Sequence, residues 1–123
     1  MMIIRSLCTA AALVAVLMAG AAWAGLSDYK VEDLLEPCVE GDNDSRGGAV
    51  LELECEQYIS GFTDLYIRAG LAKQHKVCLP PVGNRADEVR WAFMRWAHDN
   101  YGKRGMPAVD GLIATLKARF RCT

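Results

Sequence analysis

Apolar residues between Cys55 and Ala69 recur at the spacing of one long helix. Cys55, Tyr58, Ile59, Phe62, Leu65, Tyr66 and Ala69 fall at i, i+3, i+4, i+7, i+10, i+11 and i+14, a single stripe of a 3.6-residue repeat. The pattern predicts a helix from Ala49 or Val50 to Gly70 or Leu71, with Gly61 in its interior. A glycine there costs about 1 kcal/mol relative to alanine, and its simplest explanation is another helix crossing close by. Asp64 and Arg68 stand four apart, a surface pairing worth about 0.3–0.5 kcal/mol. Turned inward, Asp64 would instead need a buried partner.

The same pattern predicts three more helices. Ser27 is the expected N-cap of a short first one, with Val31, Leu34 and Leu35 on one face and Pro37 ending it. The Gly-, Asp-, Asn- and Ser-rich residues 39–48 then read as a mobile acidic loop. After Cys78, the run Leu79-Pro80-Pro81-Val82-Gly83 predicts an extended link, and Asn84 the N-cap of a third helix. Val89, Ala92, Phe93, Trp96 and Ala97 form that helix's core stripe. Trp91, Met94, Arg95 and His98 form a second one, which is either buried as well or a partner-binding face. Residues 100–106 make a polar turn containing Tyr101, Lys103 and Arg104, and Pro107 opens a fourth helix with Val109, Leu112, Ile113, Leu116 and Phe120 on its apolar face. No strand alternation or internal repeat is present. The expected fold is all-α, a small disulfide-stapled bundle of about four helices.

Residues 1–24 read as a secretory signal peptide: Arg5, an apolar run from Leu7 to Met18, and the small-x-small site Ala22-Trp23-Ala24. The run is too short for a membrane anchor, which implies export to the periplasm and a single mature domain over residues 25–123. Cys8 leaves with the signal, so Cys38, Cys55, Cys78 and Cys122 remain. An even count in an exported chain favours two disulfides, with three possible pairings. If consecutive helices run antiparallel, the end of the first meets the start of the second, which pairs Cys38 with Cys55. The start of the third then meets the end of the fourth, which pairs Cys78 with Cys122. A first helix packed crosswise would reopen the other pairings.

Charge divides the chain. Residues 28–64 carry eleven acids against Lys30 and Arg46, whereas residues 65–123 carry eleven Lys and Arg against four acids. The two halves either attract each other in the fold or leave a bipolar surface that steers a charged partner. The basic residues are scattered and no nucleic-acid motif is present, so a nucleic-acid partner is not expected. The two histidines, His75 and His98, lie in different segments with no metal-ligand spacing, and disulfides would remove every thiol nucleophile. His98-Asp99 is similar to the dyad of secreted phospholipases, but the adjoining cysteine and calcium loop are missing. No catalytic residue, metal or cofactor is expected.

Cys55-x-x-Tyr58-Ile59-x-Gly61-x-x-Asp64, then Cys78-Leu79-Pro80, then a helical pair ending in Phe120-x-Cys122, resembles the Tai/Rap family of type VI secretion immunity proteins. The resemblance covers roughly Leu34 to Cys122. It departs at Asp99-Asn100-Tyr101, where the family often has His-Pro, and at Arg121, where it usually has proline. It implies a disulfide-bonded helical periplasmic protein, often a homodimer, that occludes the active site of a peptidoglycan amidase effector. Tyr58, Gly61, Asp64 and Pro80 are then structural. Contacts to the effector are expected from Trp91, Met94, Arg95, His98, Tyr101, Lys103 and Arg104. The alternative is a small periplasmic acid or stress chaperone or another protein-binding module, motivated by the charge division that acid would unbalance.

Overall fold

The computed structural model describes residues 28–44 and 46–123; the signal-peptide segment, Cys8 and Ser27 lie outside them. The elements are α1 (Val31–Asn43), α2 (Gly48–Arg68), the single turn α3 (Leu71–Gln74), α4 (Val82–Asp99), a 3-10 turn (Tyr101–Lys103) and α5 (Ala108–Arg119). Sheet-type pairing among the described residues is limited to the isolated bridges Lys30–Pro107 and Val77–Arg121. The fold is the expected all-α bundle, with four substantial helices. One core joins Val31, Leu34, Cys38, Cys55, Ile59, Tyr66, Val89, Phe93, Trp96, Leu112 and Leu116.

Both disulfides form as helix direction predicts, Cys38–Cys55 and Cys78–Cys122. They differ in setting. Cys38 and Cys55 are fully buried at the α1/α2 contact, whereas Cys78 is exposed and Cys122 half-buried. Around the outer bridge, the Cys78 amide donates to the Phe120 carbonyl at 2.7 Å and the Cys122 amide to the Lys76 carbonyl at 2.9 Å. The chain end is thus strapped to the segment that leads into α4.

Pro37 does not end the first helix. Lacking an N–H, it leaves the Asp33 carbonyl four residues back without its helical donor, and the Tyr29 hydroxyl donates to that carbonyl at 3.3 Å. The helix continues to Asn43, so residues 39–43 of the expected loop are helical. What is left of the loop is tight: the Asp44 carboxylate accepts from the amides of Arg46 at 2.8 Å and Gly47 at 3.0 Å. Those bonds favour its charged form and hold its pKa below the ordinary carboxylate value.

Two further expectations are corrected. Val82 and Gly83 belong to α4, whose N-cap is Pro81 and not Asn84; proline's fixed φ suits the start of a helix. No helix crosses at Gly61, where an added Cβ would meet nothing within 4 Å. The close approaches lie elsewhere. A Cβ on Gly48 would stand 2.7 Å from the Gly41 carbonyl, and one on Gly111 would stand 2.5 Å from Val31 Cγ2.

The α2 stripe is also narrower than its spacing suggests. Cys55, Ile59 and Tyr66 are buried, but Leu65 is 68% exposed. Each residue advances about 100° around a helix, which carries Leu65 away from Tyr66 toward solvent. Thr63 takes an inward place instead, its hydroxyl donating to the Ser60 carbonyl at 3.1 Å. On α5, likewise, Val109 is exposed and Gly111 and Thr115 are buried in the face expected of it.

Candidate protein-binding interface

α4 is amphipathic in three parts, and the burial of each part decides its role. Val89, Ala92, Phe93, Trp96 and Ala97 are in the core. Of the second stripe, Trp91 is 45% exposed, Arg95 is exposed and the His98 side chain is 86% exposed, while Met94 is partly buried against the core. The stripe is therefore a surface, not a second buried face. It runs directly into the turn after α4, where Tyr101 and Lys103 are exposed and Arg104 half-buried.

The third part is Arg90, which spacing alone did not single out. Its side chain is 1% exposed. Nε and Nη2 donate to the Cys38 carbonyl at 3.2 and 2.9 Å, Nη2 pairs with Asp42 at 3.0 Å, and Nη1 lies 3.5 Å from Glu52 and 3.9 Å from Asp87. One guanidinium thereby ties α4 to α1 and α2, using the fork geometry that only arginine offers. A signal was present: Arg90 lies three residues before Phe93, in register with the core stripe. The guanidinium carbon also sits 5.5 Å from the Trp91 ring centroid, a cation-π distance that backs the exposed ring.

The turn is rigid for a different reason. The first N–H groups of a helix lack helical acceptors, and here the turn supplies them: Val31 donates to the Met106 carbonyl at 2.9 Å and Glu32 to the Arg104 carbonyl at 3.0 Å. In return the Ala108 amide donates to the Tyr29 carbonyl at 2.9 Å. Asn100 closes α4 by donating its backbone and side-chain N–H to the Trp96 carbonyl, both at 2.9 Å. The Arg104 guanidinium lies 4.4 Å from the Tyr101 ring centroid, so the two side chains cover one patch. Arg104 Nε is buried there without a hydrogen-bond partner.

Beside the stripe, α4 and the end of α5 bound a cleft of about 400 Å³ lined by Glu88, Trp91, Ala92, Arg95, Arg119 and Phe120. Arg119 reaches Asp99 at 3.6 Å, a polar tie between α5 and α4. Phe120 and Arg119 were not among the expected contact residues, because their place at the cleft depends on how the end of α5 packs beside α4. The remaining singled-out residues are elsewhere. Tyr58 packs against Tyr29 at a ring separation of 5.1 Å, Pro80 is buried, and Asp64 and Gly61 are exposed on α2.

His98 and Asp99 do meet, Nδ1 to Oδ1 at 3.4 Å, but both side chains are more than half exposed and Asp99 also faces Arg119. This is a solvated surface pair, without the enclosure that tunes a catalytic base. His75, by contrast, is hydrogen-bonded through Nδ1 to the Tyr66 hydroxyl at 2.8 Å and closes the end of α2. Among the described residues, the ion pairs between the acidic and basic halves all run through Arg90, and most other charged side chains of each half are exposed.

No curated protein and no solved structure matches the chain. The family of Rap1a immunity proteins matches residues 30–122, all but a few of the described residues, and the chain belongs to that family.

Proposed function

We propose that this protein is a periplasmic immunity protein that binds a type VI secretion peptidoglycan amidase effector and covers its active-site cleft. Immunity is the property of the family, and it requires a protein partner. The observation that carries the binding face is the exposed Trp91 and Arg95 beside a cleft on α4, continuous with a rigid turn bearing Tyr101, Lys103 and Arg104. Tryptophan, tyrosine and arginine dominate the energetics of protein interfaces. A turn already fixed by hydrogen bonds loses little conformational freedom on docking, so its contacts convert more fully into affinity.

Two disulfides and the signal-like residues 1–24 support an oxidising, exported setting. A homodimer would use the outer face of α2, where Val50, Leu53 and Leu65 are exposed around Gly61. That arrangement leaves the α4 face free for the effector.

Co-expression in the periplasm tests the reading. Cells producing the amidase encoded nearest this gene should lyse, and co-production of this protein should prevent lysis. Trp91→Ala with Arg95→Glu should abolish protection while leaving the protein at its normal level. Lysis despite abundant wild-type protein would refute the amidase assignment.

A further inference from the structure

The chemistry of the α4/α5 cleft is specific enough to say what it receives. Trp91 and Phe120 are its aromatic lining residues. Trp91 is backed by the buried Arg90 at 5.5 Å, and Phe120 is held by the Cys78 amide on its carbonyl and by the disulfide two residues on. Two arginines, Arg95 and Arg119, line the cleft with them. Arg95 has no ion-pair partner among the described residues, and Arg119 shares Asp99 at 3.6 Å. Glu88 is the one acid lining the cleft, in the half of the chain that carries eleven basic residues. An arginine without a partner beside apolar walls is matched by a carboxylate, which it grips with two parallel hydrogen bonds. The volume of about 400 Å³ falls at the small end of binding pockets, enough for one or two side chains.

We infer that the cleft takes an acidic segment of the partner protein, with a carboxylate on Arg95 and an apolar side chain between Trp91 and Phe120. This inference rests on the partner-binding role proposed for α4. It adds Phe120 and Arg119 to the contact surface and gives the occupant a charge. A second copy of this chain, presenting its acidic α1–α2 half, is the competing occupant.

Two synthetic peptides test the inference without any effector: Glu-Leu-Asp-Phe-Glu and its counterpart Lys-Leu-Lys-Phe-Lys. The readout is NMR of the folded, oxidised protein, following the Trp91 indole N–H and the Arg95 Nε–H. The acidic peptide should shift both resonances saturably. The basic peptide should not, and Arg95→Glu, an exposed position, should weaken the acidic peptide at least about tenfold. Equal response to both peptides, or shifts away from the cleft, would overturn the inference. So would shifts that grow with protein concentration in the absence of peptide, which would mean self-association. Failure of the wild-type protein to protect in the lysis assay would count against the amidase and leave the peptide result standing.

Discussion

Gly61 and Gly111 both lie inside helices, yet a methyl group would meet open space at the first and Val31 and Trp96 at the second. Gly61→Ala should therefore raise stability by about 0.5–1 kcal/mol, the ordinary helix preference for alanine. Gly111→Ala should lower it by about 1–3 kcal/mol through overpacking between α1 and α4. Urea unfolding of the two variants checks the pair, and equal signs would contradict the packing described. Nothing in the sequence distinguishes these glycines, because the distinction belongs to what lies opposite them. Arg90 teaches the same lesson for charge. Arg90→Met should cost about 2–4 kcal/mol, since it removes both guanidinium bonds to the Cys38 carbonyl and leaves the facing acids Asp42, Glu52 and Asp87 without their cation. Arg90→Lys should recover little of that loss, because one ammonium cannot span the same acceptors; full recovery in urea melts would show that the fork is dispensable.

Among elements, the parts set by local spacing were legible and the parts set by distant contacts were not. Four amphipathic segments and both disulfide pairings follow from apolar period and helix direction. The far end of α1 does not, since it depends on the Tyr29 hydroxyl meeting the carbonyl that Pro37 orphans and on Arg90 arriving from α4. The proposed binding face was legible in part: Trp91 and Arg95 stand out as a stripe, but Phe120 and Arg119 join them through the packing of the end of α5 beside α4. The strap at the chain end makes its own prediction. A mild dithiol should reduce the exposed Cys78–Cys122 bridge first and leave the buried Cys38–Cys55 bridge until the protein unfolds. Loss of the outer bridge, with a sequence separation of 44, should cost up to about 4 kcal/mol in the chain-entropy picture. Mass spectrometry of alkylated protein at increasing dithiol would give the order, and simultaneous reduction would contradict it.

For the molecule as a whole, the acidic α1–α2 half and the basic remainder meet through Arg90 and otherwise keep their charge on the surface. Crowding of like charge shows at Glu56. Burial first, then the neighbouring Glu52, raises its pKa above the ordinary 4.5, and the attraction of Arg90 only partly opposes this. A raised carboxylate costs stability when ionised, and that cost disappears as pH falls through its folded pKa toward its unfolded value. Glu56→Gln should thus stabilise at pH 7 by a surface-scale amount, within about 0.5 kcal/mol, and the advantage should vanish below about pH 4.5. Melts of wild type and variant at both pH values check the sign. The same charge division suits an interface that attracts its partner quickly and holds it through a few aromatic and arginine contacts.

The most direct test of that picture is a titration of amidase activity on peptidoglycan with this protein, wild type against Trp91→Ala. For the wild type, activity should fall linearly to zero at one protomer per enzyme, and for the variant it should persist at many equivalents. Activity untouched by the wild type, or inhibition equally complete with Trp91→Ala, would contradict it.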